Sequence, residues 1–238
     1  MSEQQIRIVS YNIRKARGLD QRRDPGRILD VINALEGDIV VLQEADRRLG
    51  VRKPALPPAM IEAQSDYRIA PVARNGVSLG WHGNAVLVRP GIEVAEVAHL
   101  ALPGLEPRGA VMLRLGGALD LSLVATHLAL RRRDRLAQQA TIAAAVPEER
   151  PAIIAGDFNE WAPRSGFETP GARYTVHAPG RSFHASRPVA ALDRFALSPE
   201  IDLRDAGVDT GPTAARASDH LPIWCRVSVP AEGTAQAG

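Results

Sequence analysis

Short apolar runs that stop at a polar residue set the rhythm of this chain. Residues 6–11 are rich in β-formers, Ile6, Val9 and Tyr11 among them, and stop at Asn12. Residues 38–43 hold Ile-Val-Val-Leu at their centre and run straight into Glu44. Residues 110–115 and 119–125 predict a hairpin through Gly116-Gly117, whose second arm leads into Thr126-His127. Residues 152–155 read as a buried strand that Gly156 ends, and Asp157 and Asn159 follow two positions apart. On an extended chain residues i and i+2 point to the same side. Asp157 and Asn159 would therefore face one site at the carboxyl end of a core strand, where open α/β sheets keep their ligands.

Two stretches have helical spacing instead. Asp24-Pro25 combines a capping acid with proline at the first helical position. Ile28, Val31, Ile32 and Leu35 then repeat at helical intervals, with Gly37 placed to cap the end. The second helix is expected over residues 131–146, with Leu136, Ala140, Ala143 and Ala144 as a modest apolar face. Further strands are expected at 84–89, 93–100, 192–197 and 223–229, and a short helix near 59–64. Residues 160–188, rich in Gly, Pro and Ser, read as an irregular loop beside a site. No repeat or linker divides the chain, so residues 1–229 read as a single domain, with 230–238 a disordered tail.

Composition narrows the classes. At 238 residues, with 45% hydrophobic and 24% charged positions, the chain has the balance of a globular protein with a substantial core. No apolar run reaches bilayer length, and the first residues have no secretory pattern. Cys225 is the only cysteine, which rules out an internal disulfide and a cysteine-zinc cluster and fits a reducing cytoplasm. Twenty-nine basic residues include two lysines, which leaves 29 − 2 = 27 arginines against a net charge of only +2. Arginine grips phosphate in a planar, bidentate way. Codon bias in a chain rich in Ala, Gly and Pro accounts for most of them.

The polar residues at the strand ends are Asn12, Glu44, His127, Asp157 with Asn159, Asp193, and Asp219 with His220. Each has a plain alternative. Asn12 could be a turn residue, Glu44 a strand cap, and His127 a satisfied buried histidine. Asp193 could pair with Arg194, and Ser218-Asp219 could cap a turn before Pro222. All of them falling at strand ends together is much harder to explain as turns. A carboxylate beside a neutral polarising amide suits attack of water on a phosphate.

In this arrangement the chain resembles the endonuclease/exonuclease/phosphatase superfamily, the group of DNase I, exonuclease III, neutral sphingomyelinase and inositol polyphosphate 5-phosphatase. Ser10-Tyr11-Asn12-Ile13 resembles its first motif, Leu42-Gln43-Glu44 its metal-binding motif, and Thr126-His127-Leu128 the histidine motif of the DNase I and sphingomyelinase branches. Gly156-Asp157-Phe158-Asn159 is similar to the family's most recognisable stretch. Ala191-Leu192-Asp193-Arg194 and Ser218-Asp219-His220 complete the set in the family's order. The Thr126-His127 motif departs from the tyrosine motif of exonuclease III-like enzymes, and Glu160-Trp161 stands where the inositol phosphatases have an Arg.

The resemblance implies an α/β fold, a four-layer sandwich of two packed mixed sheets flanked by helices. It implies Mg²⁺-dependent phosphoester hydrolysis, with Mn²⁺ a possible substitute. By the same resemblance Glu44 would hold the metal, with Asn12 and Asp219 nearby. Asp157 would orient or deprotonate water and Asn159 would bind phosphate. His220, oriented by Asp193, would stabilise the pentacovalent phosphorus. His127 would bind phosphate or protonate the leaving group, and Arg108 would add a phosphate contact. A hard cation of this kind takes one or two carboxylates and keeps water and substrate phosphate as its other ligands. Nucleic acid and phospholipid headgroups are the two leading substrates, contacted through basic segments 14–23 and 131–135. Trp81 and Trp161 are the candidates for base stacking. A phosphomonoesterase and an inactive phosphate-binding module are the alternatives.

Overall fold

The computed structural model describes residues 3–47, 50–117, 119–162 and 173–230. In chain order the elements are β1 (Glu3–Asn12), α1 (Pro25–Leu35), β2 (Ile39–Gln43), α2 (Pro58–Gln64), β3 (Arg68–Ile69), β4 (Ala85–Val88), β5 (Glu93–Ala101) and β6 (Gly109–Gly116). β7 (Leu121–His127), α3 (Arg132–Ala145), β8 (Ala152–Asp157), β9 (Thr175–His177), β10 (Asp193–Leu197), β11 (Asp202–Val208), α4 (Ala214–Ala217) and β12 (Ile223–Pro230) follow. They form two six-stranded mixed sheets, in the orders β11-β12-β1-β2-β4-β3 and β5-β6-β7-β8-β10-β9. The expected four-layer α/β sandwich is the observed fold.

The period of two along each strand decides which layer a side chain joins. Ile6 and Ile8 of β1, Ile39 and Val41 of β2, Leu123 and Ala125 of β7, Ile153 and Ala155 of β8 and Phe195 of β10 fill the core between the sheets. Their neighbours Val9, Tyr11, Val40 and Leu42 face outward onto α1, where they meet Ile28, Val31, Ile32 and Leu35. On the other side Val124 and Ile154 meet Ile142 of α3. The inward parity continues to the strand ends. Asn12, His127, Asp157 and Asp193 are each an even number of residues from inward-facing positions, so they form the last layer of the inter-sheet core.

Helix α1 starts as its sequence indicates: the Asp24 side chain accepts from the Arg27 amide at 3.0 Å, with Pro25 at the first helical position. It ends one residue earlier than the glycine signal suggests, because Glu36 itself takes the left-handed conformation at φ 50°. Helix α3 departs further. Its buried residues are Arg135, Gln138, Gln139 and Ile142, whereas Ala140 and Ala144 are exposed. Hydrogen bonds explain the inversion. Gln138 accepts from the Ala129 amide at 2.8 Å and donates to the Pro103 carbonyl at 2.8 Å. Arg135 reaches the Leu130 carbonyl at 2.6 Å and the Glu160 carboxylate at 2.9 Å.

Three elements carry little sequence signal. β11 is an edge strand in which Asp202, Arg204 and Asp205 interrupt the apolar pattern. β3 and α4 have two and four residues. Within the stretch expected to be irregular, β9 adds an edge strand beside β10, and Phe183 bridges to both Ala190 and His220. Residues 163–172 of that stretch, the tail from 231, and Arg48 of the 45–80 segment lie outside the described residues.

Candidate active site

The central strand of the second sheet supplies the focus of the site. Gly156, at φ 153°, lets β8 pass close to β7: a Cβ there would lie 1.9 Å from the Thr126 carbonyl oxygen. Register then places His127 beside Asp157 on the parallel side and Asp193 beside it on the antiparallel side. Asn12 arrives from the other sheet. The result converges on one atom. Asp157 Oδ2 receives the Asn12 amide at 3.1 Å, and lies 3.3 Å from His127 Nε2 and 3.7 Å from His220 Nε2. Its other oxygen accepts from the Asn159 backbone amide at 2.9 Å.

The histidines are held differently. His220 Nδ1 lies 2.8 Å from Asp193 Oδ2, which also accepts from the Ser182 hydroxyl. The dyad expected from the sequence is therefore present, and Ser182 joins it as a member that the sequence did not indicate. Burial opposes a charge on His220, but Asp193 and then Asp157 outweigh it and push its pKa up to about 10. For Asp157 burial dominates and pushes the carboxyl up to about 6, against the lowering pull of His220. An acid poised near neutrality beside a cationic imidazole gives the site a base and a charge stabiliser in separate protonation states.

Asn159, at φ 50°, donates Nδ2 to the Leu128 carbonyl at 2.8 Å. That bond fixes the amide plane and uses one of its two N–H groups, so the other remains for a phosphate oxygen. Phe158 anchors the turn in the core under α3. Arg194 is buried one residue beyond Asp193 and donates to the Ala191, Glu160 and Ala162 carbonyls at 3.1, 2.9 and 2.8 Å. With the Arg135–Glu160 pair it ties down the chain that leaves Asn159.

The proposed metal ligands sit at the neighbouring strand ends of the first sheet. Asn12 pairs in register with Gln43, so Glu44 is the next residue along, and Ser218 Oγ donates to the Asn12 carbonyl at 2.7 Å. Both carboxylates are met by cations from one turn in which Arg14, Lys15 and Ala16 all have positive φ. Lys15 Nζ lies on Glu44 Oε2, and Arg14 Nε is 3.1 Å from Asp219 Oδ2. These residues fit a hard divalent cation. The donors are oxygens, their charge is anionic, and ammonium and guanidinium groups stand against them where positive charge is wanted. Asp157, Asp193 and His220 also bring potential ligand atoms within 4.8 Å of one another. The contacts of Asp193 Oδ2 with Ser182 and His220 make that trio a proton-handling group first.

Arg108 is placed beside β6 but its guanidinium is committed to Glu106 at 2.7 Å. Arg131, Arg132 and Arg133 are exposed at the start of α3. Trp161 is exposed, with its ring edge towards Phe183 at 6.0 Å. Trp81 is partly buried against Gly109. No helix among the described residues is long and apolar enough to cross a membrane.

A two-sheet sandwich with an Asp–His pair, a second histidine and a Gly-Asp-Phe-Asn turn at one end defines a class of phosphoester hydrolase. The chain belongs to the endonuclease/exonuclease/phosphatase family, whose model matches residues 9–220. It is similar to the uncharacterized protein YbhP of Escherichia coli K12, 29% identical over 93% of this chain and 96% of that one. Among solved structures it is similar to D. rerio TDP2 in complex with a single-strand DNA product. That match has 18% identity and a TM-score of 0.70, over 94% of this chain and 98% of that one. It is also similar to a mannosyl-6-phosphatase of Bacteroides thetaiotaomicron, with 18% identity and a TM-score of 0.71, over 93% and 99%. Family members are phosphoesterase hydrolases that generally use a divalent metal, and this chain is a phosphoesterase hydrolase.

Proposed function

We propose that the chain is a Mg²⁺-dependent phosphodiesterase whose leading substrate class is nucleic acid. The observation that carries this reading is the convergence of Asn12, His127 and His220 on a single buried oxygen of Asp157. A bound phosphate and its attacking water need just such a cluster of donors around one base. Glu44, with Asn12 and Asp219, would hold the cation, which supplies neutralisation of phosphate charge. Asp157 takes the proton of the attacking water. His220, kept cationic by Asp193, stabilises the negative charge that builds on the phosphoryl oxygens. His127 holds or protonates the leaving oxygen, and the second N–H of Asn159 holds a phosphoryl oxygen. The DNA product bound by the TDP2 neighbour supports a strand as substrate.

The test is an activity panel of DNA, RNA, lysophospholipid, sphingomyelin and inositol phosphates, run with EDTA and after restoring Mg²⁺ or Mn²⁺. Cleavage of a nucleic acid diester that stops with EDTA and returns with metal is expected. Full activity after exhaustive chelation overturns the metal assignment. Release of phosphate only from monoesters, the reaction suggested by the mannosyl-6-phosphatase neighbour, overturns the diesterase reading. Cleavage of the lipid headgroups alone moves the substrate to the membrane surface.

A further inference from the structure

Many of the arginines are neutralised by an acid, as in Arg27 with Asp20, Arg114 with Glu96 and Arg150 with Asp120. Arg52 and Arg74 form no ion pair or hydrogen bond among the described residues. Both line a cavity of about 240 Å³ together with Asn75, Ser78, Trp81 and His82. The cavity opens at the same end of the sandwich as the catalytic cluster. β4 starts at Ala85 opposite Leu42 of β2, so the turn before β4 lies beside Glu44. The Ala45 amide donates to the Gly83 carbonyl at 2.9 Å, and a Cβ on Gly83 would lie 3.5 Å from the Glu44 Cα.

The pocket is rigid on the side facing the site. Asp46 accepts from the Leu79 and Gly80 amides at 2.7 and 3.2 Å, so both its oxygens serve the loop. Asn84 donates to the Gly109 carbonyl at 2.7 Å and joins the loop to β6. His82 Nδ1 lies 2.8 Å from the Pro107 carbonyl. Burial first, and then the charge of Arg52, hold the His82 ring below its ordinary pKa.

We propose that this cavity is a second phosphate subsite, which takes a phosphate of the substrate other than the one being cleaved. The inference rests on the phosphodiesterase reading and extends it to substrate class: the substrate carries at least two phosphates. Arg52 and Arg74 supply the charge, and Ser78, Asn75 and His82 supply hydrogen-bonding groups suited to phosphate oxygens. The second phosphate can belong to the next nucleotide of a strand or to a small bisphosphorylated molecule.

The test reads binding directly. An eight-residue oligothymidylate, fructose 1,6-bisphosphate and fructose 6-phosphate are titrated against the full chain in Ca²⁺ buffer, following tryptophan fluorescence. The proteins are wild type, the double variant Arg52→Ala/Arg74→Ala, and Arg52→Lys/Arg74→Lys as a charge-retaining control, all checked for fold by circular dichroism. For the strand, the alanine pair should weaken Kd about tenfold or more and flatten the salt slope by about 0.7, the value for one lost phosphate contact on a single strand. The lysine pair should keep most of the slope. For the small ligands, the alanine pair should abolish the preference for bisphosphate over monophosphate. A loss confined to one arm identifies the source of the second phosphate. Unchanged affinity and slope in both arms, or no binding of either probe by wild type, overturns the subsite. Failure of the phosphodiesterase reading is distinguishable, because it appears as absent metal-dependent cleavage by wild type rather than in these titrations.

Discussion

Lys15 stands on the oxygen that the metal would need, so removing its charge should tighten metal binding. Both side chains are mostly shielded, with 21% of Lys15 and 17% of Glu44 exposed. Two unit charges about 4 Å apart at an effective dielectric near 20 attract with about 4 kcal/mol before desolvation. Desolvation offsets most of that gain, and exposed pairs contribute about 0.2–1 kcal/mol. A net value of about 1–2 kcal/mol for this partly buried pair is consistent with both limits. A cation competing for Glu44 must displace it, so Lys15→Met should lower the metal Kd about 5–30-fold at 1.4 kcal/mol per decade. The assay is titration of Mn²⁺ into chelator-stripped protein, followed by electron paramagnetic resonance of the free ion, with Lys15→Arg as the charge-retaining comparison. The arginine variant should remain near wild type. An unchanged or weaker affinity in Lys15→Met would refute the competition and mean that the ammonium assists the cation rather than standing in for it.

The two histidines should part company when the leaving group changes. His127→Ala and His220→Ala should each lose on the order of 10²–10⁴ in rate while staying folded. A p-nitrophenyl ester, which needs little protonation, should partly rescue His127→Ala only, and equal rescue of both would show shared roles. Because burial raises the Asp157 carboxyl to about 6, the folded state binds its proton more tightly than the unfolded chain. That contribution to stability is fully present below the unfolded pKa, near 4, and is lost as pH rises through about 6. Asp157→Asn should therefore raise the Tm of chelated protein at pH 7.5 and lose that advantage at pH 4; equal Tm differences at both pH values would contradict the sign. Gly156→Ala should destabilise by at least about 2 kcal/mol in urea unfolding, since its Cβ would overlap the Thr126 carbonyl, and an unchanged midpoint would refute the close approach.

The site was legible because its residues close the inward parity of core strands. Asn12, His127, Asp157 and Asp193 need only an apolar alternation and a polar terminus to be noticed. Lys15, Arg14 and Ser182 needed more. Lys15 meets Glu44 across 29 residues and Ser182 meets Asp193 across 11, through loops whose backbone no local pattern specifies. The arginine signal was legible in bulk but not in detail, because composition does not say which arginines meet an acid. Arg108 is spent on Glu106, whereas Arg52 and Arg74 in a proline-interrupted segment remain unpaired among the described residues. Helix α3 was found by its period, but its buried side could not be read from hydrophobicity, because hydrogen bonds from Arg135 and Gln138 set it. β11 was missed because its register shifts between Leu203 and Asp205, and the extra residue breaks the period of two.

The pairing of β1 with β12, from Glu3 with Pro230 to Ser10 with Ile223, has a consequence for how the enzyme comes into being. β1 lies between β2 and β12, so one of its edges stays open until β12 docks. Asn12 receives the Ser218 hydroxyl across 206 residues, and His220 reaches Asp157 only when that final segment has docked. During synthesis the second sheet has all its consecutive partners well before the first sheet is closed. A chain that stops before Ser218 has an open β1 edge and lacks Asp219 and His220 of the candidate site. Segments far apart in the chain must therefore meet before the cluster around Asp157 is assembled.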